Sequence, residues 1–329
     1  MQRLTLIAAF AVLGFAASAN AVNDNLESRV TASDGWVAYH VPMVAAVNGP
    51  CCFLVRGGAE TKKGCNLDGR SWSFDGDHDD HAVALDSTLA VYLRVEHGRI
   101  ERVRALGTSC PVQSTSTVRW IDPVDPASSV AMLSSLLNRK SGVAGDHGLI
   151  ALAHHAESSA TRTLAARAES SHPFKEREQA LFWLGQTRGA EGVKVVEHYA
   201  TTDADPKLRV KAIFALSQSK APDAYAHILT IARDDAAEHV RGEALFWLVQ
   251  MDDTRAKDDI IASLKTESSD KVREQAVFAL SQLHQGAADE ALISVLRGDY
   301  SRAVKKQALF WLGQSGSPQA MAYFDEALQ

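Results

Sequence analysis

A period of 32 residues governs the second half of the chain and leaves few folds open to it. QALFWLGQ stands at Gln179–Gln186 and again, letter for letter, at Gln307–Gln314, while FALSQ stands at Phe214–Gln218 and at Phe278–Gln282. Phe182, Phe214, Phe246, Phe278 and Phe310 form one column at this spacing. Arg177, Arg209, Arg241, Arg273 and Lys305 form a second, and Gln186, Gln218, Gln250, Gln282 and Gln314 a third. One period before Phe182 lies Ile150, inside LIALAHH, a weaker sixth copy. Self-similarity at such a period marks stacked supersecondary units that share one core.

Each copy reads as two helices. In the third, the first helix is predicted from Pro206 to Ser219 and the second from Asp223 to Arg233. Asp205 before Pro206 is a start signal, as are Ser269 and Ser301 in later copies, because such side chains accept bonds from the orphan N–H groups of the first turn. Leu208, Ala212 and Leu216 recur at i, i+4 and i+8 and make one apolar stripe. In the second helices Ile260, Ile261 and Leu264 alternate with Asp258, Asp259 and Lys265. Two short helices cannot bury such stripes alone, so the copies must stack. The expected fold is an all-α solenoid of six two-helix repeats over residues 141–329, preceded by a small β-rich, disulfide-bearing head over 22–125 and a capping helix over 126–140.

The first helices read x-V-R-x-x-A-x-x-A-L, as in Lys271-Val272-Arg273 through Leu280. This resembles the HEAT family in its short bacterial form, also found in phycobilisome-lyase-like proteins. The resemblance implies the solenoid but not a function, because this architecture hosts many roles.

One detail is finer than that pattern. The residue after each phenylalanine alternates as Ala151, Trp183, Ala215, Trp247, Ala279, Trp311, so the true unit is a pair of repeats. Packing of large against small is one reading; a row of partner anchors at Trp183, Trp247 and Trp311 is the other. The glutamine column, near the ends of the first helices, is expected to bond free backbone carbonyls. The arginine column sits in the first turn, the wrong end for the helix dipole. Arg177, Arg209, Arg241 and Arg273 are therefore expected to pair with carboxylates of adjacent copies, or, if solvent-facing, to meet an anionic partner.

The head changes pattern to short strands: Trp36–Pro42, a hairpin of Leu89–Val95 and Arg99–Leu106 about His97-Gly98, and Val118–Ile121. All four cysteines lie here, at Cys51, Cys52, Cys65 and Cys110. An even count in an exported chain suggests disulfides. A bond between adjacent Cys51 and Cys52 strains the backbone, which leaves Cys51–Cys110 with Cys52–Cys65, or Cys51–Cys65 with Cys52–Cys110. A zinc site is disfavoured because the paired C-x-x-C knuckles are missing. Residues 74–86, FDGDHDDHAVALD, collect hard ligands and imidazoles. Asp75, Asp77 and Asp79 match the first carboxylates of a calcium loop with Asp86 at its twelfth position, but Asp80 replaces the glycine of the sharp turn. Asp77, His78 and His81 suit a transition metal instead. A solvated acidic loop is the reading preferred here, with no metal and no cofactor assigned. The segments WVAYHVP, GPCC, LAVYLR and VRWIDPVDPASS resemble the N-terminal part of exported HEAT-repeat proteins of proteobacteria.

Residues 1–21 read as a secretory signal: Arg3, an apolar run from Leu4 to Phe15, and Ala19-Asn20-Ala21 as the cleavage site. The run is too short for a membrane span. A mature chain from Val22, periplasmic or secreted, is expected. The net charge of −6, with no Lys/Arg run, argues against nucleic acid. No P-loop, G-x-S-x-G or H-E-x-x-H is present, and the His-Glu dipeptides that the resemblance would bring from HEAT-type iron hydroxylases are absent. The expected function is a non-catalytic scaffold for a protein or peptide partner. A HEAT-fold enzyme of lyase or hydroxylase type and a metal sensor built on residues 75–81 are the alternatives.

Overall fold

The computed structural model describes residues 26–45, 47–51, 53–56, 60–63, 65–69, 86–139, 145–284 and 286–327. A short helix, α1 (Leu26–Val30), leads into β1 (Gly35–Pro42). There follow β2 (Phe53–Arg56), β3 (Glu60–Lys63), β4 (Cys65–Asn66), β5 (Thr88–Glu96), β6 (Arg99–Gly107), β7 (Val112–Gln113) and β8 (Val118–Trp120). The main sheet has the order β6-β5-β1-β8, antiparallel except for the parallel β1–β8 pair. His97 and Gly98 both take positive φ, 52° and 69°, which the tight turn between β5 and β6 demands. The Asp34 carboxylate accepts from both of their N–H groups at 3.0 Å.

Strand alternation splits the sheet into two faces. Val37, Tyr39, Val41, Leu89, Val91, Leu93 and Val95 face the helices. Trp36, Ala38, Ala90, Tyr92 and Leu106 face the other way, over Leu67, Cys51, Cys65 and Cys110. Cys51 and Cys110 are joined, with S–S 2.00 Å and Cα atoms 5.4 Å apart. That bond removes one of the two pairings left open by the sequence. Cys65 is disulfide-bonded as well, and Cys52 lies outside the described residues. With Cys51 and Cys110 oxidised, the thiolates that a zinc site needs are not there.

Helix α2 (Pro126–Leu137) starts on Asp125, whose carboxylate accepts from Ser128 N–H at 2.8 Å with Pro126 in the first turn. Six helix pairs follow. They are α3 (Gly145–His154) with α4 (Ser159–Arg167), α5 (Phe174–Thr187) with α6 (Gly189–Thr202), α7 (Pro206–Ser217) with α8 (Ala224–Asp234), α9 (Glu238–Gln250) with α10 (Ala256–Thr266), α11 (Asp270–Ser281) with α12 (Ala287–Arg297), and α13 (Arg302–Ser315) with α14 (Pro318–Ala327). First helices pack against first helices. Small residues permit the approach: a Cβ on Gly185 would sit 2.5 Å from the Ala215 carbonyl oxygen.

Sheet and array share one apolar core, which runs from the inner face of the sheet through α2 and α3 to α13. The Tyr39 hydroxyl bonds the Ser129 hydroxyl inside it, at 2.9 Å. Just after β1, Val44 N–H donates to the His154 carbonyl and Ala156 N–H to the Pro42 carbonyl, each at 2.9 Å. The head is thereby stitched to the end of α3. Among the described residues no helix is long and apolar enough to cross a membrane.

Candidate functional site

The phenylalanine column lies on the far side of each first helix from the buried stripe. Phe214 follows Leu208 by six residues, which at ~100° per residue puts it roughly 200° from the centre of the Leu208–Ala212–Leu216 stripe. Those three residues are fully buried, whereas Phe182, Phe214, Phe246 and Phe278 are half-buried and Phe310 is exposed. The alternating column sits at the edge of the stripe, so Ala151, Ala215 and Ala279 are buried while Trp183, Trp247 and Trp311 are half-buried.

Together the two columns build one unbroken ladder of rings. His154 meets Trp183 edge-on at 5.4 Å, and Trp183 meets Phe182 at 5.0 Å. Phe182 stacks on Phe214 at 5.8 Å, and Phe214 leans on Trp247 at 4.8 Å. Trp247 meets Phe246 at 5.2 Å, and Phe246 stacks on Phe278 at 5.9 Å. Phe278 leans on Trp311 at 5.2 Å, and Trp311 meets Phe310 at 5.0 Å. The tryptophans never touch one another. Each reaches back to a ring of the preceding copy, and where alanine stands instead two phenylalanines stack directly. Offset and edge-on contacts at these separations are the favoured aromatic geometries.

Two polar rows flank the ladder. Gln186, Gln218, Gln250, Gln282 and Gln314 are all exposed. The Gln218 and Gln282 amides bond neighbouring hydroxyls, Ser217 at 3.2 Å and Ser281 at 3.0 Å, rather than backbone carbonyls as expected. On the other side, two turns before the first four phenylalanines, stand the exposed Lys175, Lys207, His239 and Lys271, while Ala303 holds that place before Phe310. Between the rows Lys211 pairs with Glu178 at 2.7 Å.

The arginine column belongs elsewhere, on a structural edge. Arg209 grips Asp235 through two bonds of 2.8 Å and donates to the Asp203 carbonyl at 2.8 Å. Arg241 grips Glu267 at 2.7 and 3.0 Å and donates to the Asp235 carbonyl at 2.8 Å. Arg177 pairs with Asp203 and the Ala168 carbonyl. The loops at Asp203 and Asp235 thus each offer a carboxylate to one arginine and a carbonyl to the next. The bond to Asp235 raises Arg209 above the usual guanidinium range, and Glu267 does the same for Arg241. Arg273 turns instead to Asp270 at 2.9 Å. As partner-binding candidates these arginines are already committed within the fold.

Sequence reasoning did not bring together a second cluster, on the outer face of the sheet. His40 Nδ1 lies 2.7 Å from Asp122 Oδ2, and His40 N–H donates to Asp122 Oδ1 at 2.7 Å. The exposed Trp120 ring stacks on His40 at 4.3 Å, with Tyr92 edge-on at 5.7 Å. An imidazole held through Nδ1 by a carboxylate is the arrangement of a general base or hydrogen-bonding group working through Nε2. Its members come from WVAYHVP and VRWIDPVDPASS, segments noticed in the sequence with no hint that they meet.

Asp75, Asp77, His78, Asp79 and His81 lie outside the described residues. The Asp86 carboxylate accepts from Ser109 N–H at 2.9 Å and from the Ser109 and Thr108 hydroxyls at 2.8 and 3.1 Å. Shallow cavities of about 370 and 510 Å³ flank α4 in the second-helix layer and share Arg162. They are remote in sequence from most of the ladder.

Residues 161–248 match the family model described as HEAT repeats, and residues 272–298 that of the PBS lyase HEAT-like repeat. The array is built of HEAT-like two-helix repeats, and these two stretches of it match the family models. No curated protein matches. Among 35 matching chains of solved structure is human deoxyhypusine hydroxylase in complex with glycerol, 15 % identical, covering 58 % of this chain and 85 % of that one at a TM-score of 0.28. Kap121p is 14 % identical over 61 % of this chain and 27 % of its own, at 0.39. The complex of CpcE and CpcF of phycocyanin lyase from Nostoc sp. PCC7120 is 15 % identical over 56 % and 98 %, at 0.26. The match of residues 272–298 to the PBS lyase HEAT-like repeat corrects the expectation of a non-catalytic chain. Absent linear motifs were a poor ground for excluding catalysis, because solenoids and sheets assemble sites from residues far apart, as His40 and Asp122 illustrate.

Proposed function

We propose that the protein is an exported scaffold that binds a polypeptide partner along the aromatic face of its first helices. One observation carries the reading: the ring ladder from His154 to Phe310 lies where a helix of this kind would ordinarily present polar side chains to water. A row of half-exposed aromatics is costly to leave facing solvent and is the composition of interface centres. The exposed glutamines beside it supply hydrogen-bonding groups of the kind found at an interface rim. Export is supported by the signal-like residues 1–21 and agrees with a disulfide-bearing head.

A photo-crosslinking residue placed at Phe278 in cells should give adducts of discrete mass, and one at Thr230 on α8 should not. Equal labelling from both positions, or none from Phe278, sinks the reading. Mass measurement of the mature chain should place its first residue at Val22; an intact N-terminus removes the export part.

A further inference from the structure

We infer that the partner of this face is an extended, acidic segment with apolar anchors, its carboxylates toward the lysine row and its backbone toward the glutamine row. This rests on the proposed function and adds the chemistry of the partner.

Three independent properties of the face point the same way. The first is charge. The chain carries a net −6, yet the edge of this face at the helix starts presents Lys207, His239 and Lys271 at the repeat spacing, all exposed. No ion pair of Lys207 or Lys271 occurs among the described residues, whereas Lys211, nearer the ladder, is neutralised by Glu178. Acidic groups lie here too, but Glu178 is taken by Lys211 and Asp270 by Arg273, and Glu238, Glu243 and Glu274 occupy three different positions in their helices. The N-termini of the first helices open at the lysine edge, and their positive dipole ends add to it. The opposite edge carries a neutral glutamine amide in each copy from Gln186 to Gln314, with Lys220 and the Asp252–His284 pair just beyond it.

The second property is shape. Ring-to-ring separations of 4.8–5.9 Å along the ladder put Phe310 at most about 32 Å from Phe182. It is narrow, since one ring per copy, or two where tryptophan stands, makes up its width. An extended chain rising ~3.3 Å per residue covers that length with about ten residues. The third property is the amide row. Glutamine offers both a donor and an acceptor, and an extended backbone offers the matching pair at every residue, which a helical or globular partner has already used internally. The two-repeat alternation of tryptophan and alanine then sets the anchor interval. Ring contacts hold successive tryptophans within about 16 Å of each other, so an apolar side chain is expected about every fourth or fifth residue.

The test uses three synthetic 12-residue peptides identical except for glutamate, glutamine or lysine at four positions, each with leucine at two positions four apart. Binding to the intact mature protein is read by tryptophan fluorescence and calorimetry at 50 and 500 mM NaCl. The glutamate peptide should bind at least tenfold tighter than the lysine peptide, and added salt should weaken it, since an exposed charge row is screened. Lys207→Glu with Lys271→Glu, both at exposed positions, should reverse the preference while leaving the circular dichroism spectrum unchanged. Lysine and glutamate peptides bound equally well, or no peptide bound, would overturn the acidic assignment. Phe214→Ser with Phe278→Ser separates this from the underlying reading. If discrete adducts form from this face while the peptides fail, the partner chemistry is wrong and the face is right. If the double serine variant still binds the glutamate peptide as wild type does, the face itself is wrong.

Discussion

Array and head are joined through one core but are held by opposite kinds of contact. In the array each stabilising pair is close in sequence and repeated: Arg209 finds Asp235 and Arg241 finds Glu267, both 26 residues on. In the head the partners are distant and unique. His40 reaches Asp122 across 82 residues, Tyr39 reaches Ser129 across 90, and the Cys51–Cys110 bond closes 59. The array can therefore lose one rung and keep the rest, whereas the head depends on each closure separately.

The largest effect is expected where the array's ladder is cut. Arg209→Met leaves Asp235, nearly buried, without its bidentate partner and should cost about 3–5 kcal/mol in denaturant unfolding. Adding Asp235→Leu should recover most of that loss. Recovery would show the pair to be locally replaceable, as a repeat contact should be; an additive loss would break the contrast with the head.

Next is the head's closure. Cys51→Ser with Cys110→Ser removes a 59-residue loop constraint and should cost about 4 kcal/mol. The near-ultraviolet signal of Trp36, buried beside these cysteines, should melt early while the helical signal shifts less. Equal shifts would mean that head and array unfold as one unit.

The joint itself is acid-sensitive. Burial lowers His154 and His155 to about 4, and Arg188 nearby acts in the same direction. The folded chain keeps both neutral while the unfolded chain takes up protons below about 6.5. Stability from this source is therefore whole above pH 6.5 and is lost as pH falls from there to 4, by up to about 3 kcal/mol per histidine. Unfolding midpoints at pH 7.5, 5.5 and 4.5 would measure it, and a flat profile over that range contradicts the buried neutral state.

The smallest effects distinguish the ladder from the core. Trp247→Ala removes a half-buried ring between Phe214 and Phe246 and should cost about 1–3 kcal/mol, below the ~3–5 typical of a fully buried tryptophan. Gln218→Ala, exposed, should stay within about 0.5 kcal/mol. A Trp247→Ala loss as large as that of Arg209→Met would return the tryptophans to the core.

Much of this was legible without coordinates. The hairpin turn at His97-Gly98, the caps at Asp125 and Asp205, and the repeat boundaries follow from local rules, because a turn or cap is decided by residues within a few positions. Helical arithmetic also places Phe214 opposite the buried stripe, a signal present in the sequence alone. Other features were out of reach. Helix α1 is short, with Leu26 and Val30 held by the shared core rather than by any strong pattern of their own. The glutamines were expected on carbonyls, but solvent competes for an exposed amide and the fold does not require the bond.

The sequence by itself determined the repeat: its period, its two helices, its apolar stripe and its alternating tryptophans, since each is a short-range pattern that stacking merely copies. Only the tertiary structure decided that those rings join into one ladder, that the arginines are tied to loops, and that His40, Asp122 and Trp120 meet. Ring separations of about 5–6 Å depend on how closely successive helices dock, and docking is decided by small buried residues such as Gly185 and Ala215 acting across the gap.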